Sequence, residues 1–164
     1  MAPDQQLSGT YLCTVEITLQ EGGPLQVGQT PWRNRRISNI TGGAFDGPRM
    51  KGSVLPSGAD WAESGMDDEG NATTFLDIRS VWQTDDDALI YVTYAGRLVI
   101  PQRHLETFKD LKATEALDPS EYYFRIAPTF ETSAPQYGWL NNVLAVGLGQ
   151  RLATGVRYDI FAVD

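Results

Sequence analysis

The sequence predicts an all-β domain: a single closed antiparallel β-barrel of about eight to ten short strands with one short helix inserted late. Three observations carry this expectation. Apolar and polar residues alternate over short runs, clusters of Gly, Pro, Asn and Asp separate the runs, and only one stretch has helical spacing. Closure is preferred over the alternative, an open sandwich, because it removes sheet edges and leaves a mouth for a ligand. The 164 residues fit one domain, 1–164, large enough to bury a core without staples.

The elements follow in order. Over residues 9–19, Tyr11, Cys13, Val15, Ile17 and Leu19 fall on one face and Thr14, Glu16 and Thr18 on the other, the pattern of a half-buried strand. Cys13 then reads as core filler. Gly22-Gly23-Pro24 makes a turn, a second strand runs from Arg36 to Ile40, and Ala44 to Pro48 forms another turn. Met50 to Leu55 is a short strand that Pro56-Ser57-Gly58 terminates, delivering Asp60 and Trp61 side by side. Met66 to Asn71 is an exposed acidic loop without the ligand register of a calcium site. The strand 73–82 is split, with Leu76 and Ile78 on one face and Phe75, Asp77, Arg79 and Val81 on the other. Ala88 to Tyr94 and Leu98 to Ile100 follow, separated by Ala95-Gly96. His104 to Ala113 is the helix, with Leu105, Phe108 and Leu111 on one stripe. Tyr122 to Ile126, a corner at Tyr137 to Asn142, and the strands Val143 to Gly147 and Val156 to Val163 complete the chain.

A formal charge of -8 argues against nucleic acid or an anionic membrane as partner. The single cysteine excludes an intrachain disulfide and points to a reducing, cytoplasmic setting. Met1 to Gln6 lacks the basic and apolar segments of a signal peptide, and no run approaches the ~20 apolar residues of a membrane helix. Apolar residues such as Val99 and Ile100 permit a homo-oligomer but fit core packing equally well.

The chemistry starts from what is missing. His104 is the only histidine, so a metal site or a histidine-based triad has little to draw on. Gly147-Leu148-Gly149 lacks the third glycine of a dinucleotide fingerprint. No metal or cofactor is therefore expected. What remains is carboxylates, arginines and phenols on strands. Asp77 and Arg79 share a face, about 7 Å apart by the rise per residue. Arg125 and Tyr123 alternate along another strand, and Glu131 follows beyond Pro128. Tyr91, Thr93 and Tyr94 supply hydroxyls on a neighbouring strand. A carboxylate held against an indole would have a raised pKa and could act as an acid near neutrality, and Arg or Tyr donors could steady an oxyanion.

Several blocks in order carry a resemblance. Gly42 to Pro48, Gly52 to Trp61, Asp77-Ile78-Arg79, Tyr122 to Arg125, Pro128 to Thr132, and Tyr137 to Asn141 with Gly147-Leu148-Gly149 resemble the family catalogued as domain of unknown function 3237. The resemblance covers roughly Gly9 to the C-terminus. It implies a compact, calycin- or allene-oxide-cyclase-like barrel with a central cavity. Some members are associated with tailoring of aromatic or polyketide metabolites, which implies a cofactor-free cyclisation or isomerisation. Asp60, Trp61, Arg79, Arg125 and Glu131 match the polar motifs. Ser57 departs from the usual glycine, and Ser80 stands where many members have an aromatic residue.

Two functions follow as expectations. The first is a cofactor-free cyclase or isomerase acting on a hydrophobic aromatic or polyketide-like small molecule. Asp60, Glu131, Arg79, Arg125 and Tyr91 would be its catalytic residues, and Trp61, Phe45, Asp77, Tyr94, Tyr123 and Trp139 its substrate-binding residues. The second is a non-catalytic barrel that binds a small molecule.

Overall fold

A computed structural model describes residues 7–164; the signal-peptide expectation at Met1 to Gln6 lies outside them. Ten strands form one antiparallel sheet: β1 (Gly9–Leu19), β2 (Leu25–Gln29), β3 (Asn34–Asp46), β4 (Lys51–Asp60), β5 (Glu63–Met66), β6 (Ala72–Thr84), β7 (Leu89–Ile100), β8 (Tyr123–Glu131), β9 (Ala145–Arg151) and β10 (Gly155–Val163). Eight of them run in the order β1-β10-β9-β8-β7-β6-β4-β3, and β3 pairs back onto β1 to close the barrel. β2 and β5 are extra strands laid on β3, and β5 also pairs with β6. Closure leaves the eight barrel strands with hydrogen-bonded neighbours on both sides, which is how an antiparallel sheet of this size avoids a long open edge.

The inner face is built by period-two alternation. Leu76, Ile78, Ser80 and Trp82 of β6 are buried, while Phe75, Asp77 and Arg79 are exposed. The register expected at the first strand changes at a β-bulge between Tyr11 and Cys13, which buries Leu12 and Cys13 together and turns Tyr11 outward onto Phe161. Burial pushes the Cys13 thiol up to about 12, so it stays neutral core filler.

Several strands outrun their expected ends. β3 continues through Gly42-Gly43 to Asp46, so Phe45 lies in a strand rather than a turn and packs 4.8 Å from Trp82. β4 crosses Pro56-Ser57-Gly58 by a bulge between Val54 and Gly58 and ends only at Asp60. Gly58 has φ +100, and a Cβ there would strike the Arg79 carbonyl oxygen, so the bulge demands glycine. β7 runs unbroken through Ala95-Gly96, and β8 runs through Pro128, which stays opposite Tyr94. The β8–β9 ladder covers only Arg125 and Ile126, so a residue without an N–H beyond it breaks no bond to β9. The final two strands start at Ala145 and Gly155, and the spans Leu25–Gln29 and Glu63–Met66, not expected as strands, are β2 and β5.

The expected single helix is broken. Residues Gln102–His104 and Thr107–Lys109 form 3-10 turns, and only Leu111–Glu115 (α1) is α-helical. Asp110 is extended (φ -111, ψ 118) and caps α1 by accepting from the Ala113 N–H, which resets the chain direction inside the apolar stripe. His104 is tied to Glu121 at 3.0 Å.

The barrel has two unlike ends. At one, Trp82 packs on Phe45 and edge-on to Phe130, with Ile90, Val92 and Leu140 also fully buried. At the other, the Gly22–Pro24 turn, the segment 102–121 and the turn after Arg151 surround an internal cavity of about 450 Å³.

Candidate functional site

The cavity wall is apolar over most of its surface, with Ile40, Leu76, Ile78, Leu98, Phe124 and Val156 pointing inward and Phe108 and Leu111 covering the mouth. Its inner charged and phenolic groups, with Ser38, come from five different strands. Asp60 ends β4, Arg36 and Ser38 lie on β3, Tyr94 on β7, Arg151 at the end of β9, and Tyr158 on β10. Each strand contributes through its inward parity. That parity is why residues far apart in sequence converge.

Asp60 is positioned by β6. Its carboxylate accepts from the Asp77 backbone N–H at 3.1 Å, and the Trp61 N–H donates to the Asp77 carbonyl at 3.0 Å. Two clamps on one residue fix the corner where β4 ends. Burial raises the Asp60 pKa from 3.8 to about 6; the Asp77 N–H and the charges of Arg36 and Arg151 oppose that rise only in part. Among the described residues, no cationic side chain lies within 4.0 Å of it.

The phenols face one another, with the Tyr94 and Tyr158 rings 5.5 Å apart and Tyr158 edge-on to Phe124 at 5.2 Å. Burial drives both phenol pKa values up, so both remain protonated donors. The Arg36 guanidinium donates to Thr74 Oγ1 at 3.0 Å. Arg151 is anchored through its backbone N–H, which donates to the Tyr122 hydroxyl at 3.0 Å, and burial pulls its guanidinium below the ordinary range.

Of the residues singled out from sequence, Asp60 and Tyr94 line the cavity. The others are elsewhere. Arg79 and Asp77 pair with each other at 3.3 Å on the outer face of β6. Trp61 is on the same outer side, 5.3 Å beneath the Arg79 guanidinium. The expected contact between the Asp60 carboxylate and the Trp61 ring fails for a simple reason: successive strand residues point to opposite faces. Burial in the cavity, not an indole, raises the Asp60 pKa. Arg125 and Tyr123 stack on the outer face of β8, Glu131 and Tyr91 sit opposite each other on the outside of β8 and β7, and Phe45 is core beneath Trp82. Trp139 lies against the Arg49 guanidinium at 3.8 Å and does not line the cavity.

Arg36, Arg151 and Tyr158 are the cavity's inner charged and phenolic residues that were not assigned to a site from sequence. Tyr158 had a signal, since it alternates with Val156 and Ile160 on an inward face. Arg36 and Arg151 had none, because each stands near a strand end where parity is hard to read. Among the described residues, no group of three or more His, Cys, Asp or Glu side chains is placed to hold a metal ion.

The glycines of Gly147-Leu148-Gly149 have a packing role. A Cβ at Gly147 would come within 2.5 Å of the Ile126 side chain, and one at Gly149 within 2.5 Å of the Phe124 ring. They make room on β9 for β8 residues that build the core and the cavity wall.

A family model described as "Protein of unknown function (DUF3237)" matches residues 8–163. The chain belongs to this family. A UPF0311 protein of Rhodopseudomonas palustris is 36% identical over 147 residues, which cover 90% of this chain and 92% of that one. Its crystal structure superposes with a TM-score of 0.83, at 32% identity, covering 98% and 99% of the two chains. A β-barrel-like protein from Acinetobacter baumannii is 36% identical with a TM-score of 0.77 over the full length of both chains. An enzyme from Penicillium herquei shares the fold at 22% identity, with a TM-score of 0.66 over 100% of this chain and 99% of that one. The barrel architecture thus persists across these proteins at low sequence identity.

Proposed function

We propose that this DUF3237 protein is a cofactor-free cyclase or isomerase that works by acid–base catalysis on a hydrophobic, phenolic small molecule held in the barrel. The observation that carries the reading is Asp60. It is a carboxyl group on an otherwise largely apolar cavity wall, with a pKa of about 6 and neutral phenols and cationic guanidiniums around it. A group so tuned exchanges a proton near neutral pH. The Penicillium herquei barrel, called an enzyme, supports catalysis on this fold.

A concrete form is addition of a phenolic hydroxyl across an alkene of the same molecule. Protonated Asp60 gives its proton to one alkene carbon, and the phenolic oxygen forms the new C–O bond to the other. The phenol proton leaves as that bond forms and returns to the Asp60 carboxylate. The product is an isomer of the substrate, so no oxidant or reductant enters. Arg36 and Arg151 hold and orient the phenolic oxygen and ease loss of its proton, and Tyr94 and Tyr158 donate hydrogen bonds without ionising.

A prenylated naphthol such as 2-prenyl-1-naphthol tests this, with cyclisation followed as a new chromatographic peak of unchanged mass. Asp60→Asn keeps the shape and the acceptor oxygen for the Asp77 N–H while removing the acid. It should lower turnover at least about 100-fold. Turnover equal to that of the wild type would remove Asp60 from the chemistry. Binding without any product would instead mark a carrier barrel.

A further inference from the structure

The cavity holds more positive charge than its own acid balances. Its charged lining groups are Arg36, Asp60 and Arg151 inside and Glu21 at the exposed mouth. Among the described residues, neither Arg36 nor Arg151 lies within 4.0 Å of a carboxylate, although surface arginines such as Arg33, Arg35, Arg79, Arg103 and Arg157 all do. Arg36 has one neutral partner, Thr74 Oγ1. On a protein of net charge -8, two guanidiniums left without direct counter-ions inside an apolar chamber are conspicuous. Arg151 is largely withdrawn from water and Arg36 is half-buried. Charge withdrawn from water without a partner is expensive, and it persists where a ligand supplies the partner.

We infer that Arg36 and Arg151 form an anion-receiving pair, and that the natural ligand is an apolar ring system bearing one acidic group, a carboxylate or an acidic phenol. The inference rests on the reading of the cavity as the ligand site and narrows its substrate class. The planar guanidinium fork suits a carboxylate or a delocalised phenolate, and both arginines are anchored from behind, Arg36 by Thr74 and Arg151 by the Tyr122 hydroxyl on its backbone. Asp60 fits the same scheme. Its burial keeps it protonated into the mildly acidic range, so it competes weakly for the two cations and leaves them to the ligand. The apolar wall of Leu76, Ile78, Leu98 and Phe124 receives the rings, and about 450 Å³ accommodates several fused ones.

The test uses two probes of one shape, anthracene-9-carboxylate and anthracene-9-carboxamide, titrated calorimetrically into the intact protein at pH 6. The carboxylate should bind at least about tenfold tighter than the amide. Arg151→Met, with Arg36→Met as a second variant, should lower carboxylate affinity at least about tenfold and leave amide affinity within about twofold. Equal affinity of the two probes for the wild-type protein overturns the inference and leaves the cavity reading intact. Failure of both probes to bind removes the cavity reading together with the inference. Because no turnover is required, a catalytically silent protein that still prefers the carboxylate would sink the proposed chemistry alone.

Discussion

Asp60 combines the properties on which the site depends: an inward position, a clamp from the Asp77 N–H, and a pKa raised from 3.8 to about 6 by burial. That tuning has a stability consequence with a definite sign. The folded protein holds the Asp60 proton more tightly than the unfolded chain, so its contribution is fully present below about pH 4 and is lost as pH rises through 6. At about 1.4 kcal/mol per pH unit between those values, ionised Asp60 costs on the order of 3 kcal/mol. Asn at this position never ionises. The stability of Asp60→Asn relative to wild type should therefore rise by about 2 kcal/mol between pH 4.5 and 7.5, the rest of the cost falling below pH 4.5, measured by urea unfolding. Comparing the two proteins cancels Glu63, Asp67, Asp86, Asp118 and Glu121, whose partners hold them below their ordinary values and which act in the opposite sense. A flat difference would mean that Asp60 is solvated. The same titration predicts that kcat/KM of an acid-catalysed cyclisation falls about tenfold per pH unit above pH 6, and a rise there would reverse the assigned role.

At the scale of the element, β4 decides whether that carboxyl reaches the cavity. Its bulge between Val54 and Gly58 changes the register against β6, after which Asp60 stands opposite Ile78 with its side chain inward. Gly58→Ala places a Cβ against the Arg79 carbonyl at a φ of +100. It should destabilise the protein by about 1–3 kcal/mol in denaturant titration and weaken Asp60-dependent turnover more than stability alone explains. Unchanged stability and turnover would show that β4 tolerates another path. The same bulge explains why the sequence was only partly legible. Pro56-Ser57-Gly58 has turn composition, and nothing local distinguishes a turn that ends a strand from a bulge inside one. Alternation correctly sorted Leu76 and Ile78 from Asp77 and Arg79, yet left open which set faced inward. The apolar set did, because closing the barrel buries one face of every strand. Asp60 could be found because a carboxylate delivered beside an indole suggested a raised pKa, although burial in the cavity rather than the indole raises it. Arg36 and Arg151 were hidden because their convergence depends on pairings far apart in sequence.

At the scale of the molecule, the barrel divides packing from binding along its axis. The packed end is centred on Trp82, which is fully buried, stacks on Phe45, meets Phe130 edge-on and donates from its indole N–H to Ser80 Oγ at 3.1 Å. Ser80 thus satisfies the one polar atom of the largest core side chain. Trp82, Phe45, Phe130 and Ser80 do not line the cavity, although the three aromatic residues belong to one continuous hydrophobic core with wall residues such as Ile78, Tyr94 and Phe124. A sealed end lets the other end tolerate an unfilled volume and buried charge, both of which cost stability. Truncating the plug should therefore harm folding without reshaping the ligand site. Trp82→Ala is expected to lose about 3–5 kcal/mol, read as a lower urea midpoint, with anthracene-9-carboxylate affinity within about threefold of wild type wherever the protein remains folded. The milder Trp82→Phe keeps the ring stack but strips Ser80 Oγ of the indole donor, and should lose less. A plug variant that stays folded yet no longer binds the probe would show that the two ends are mechanically coupled, and the division of labour along the barrel axis would fail with it.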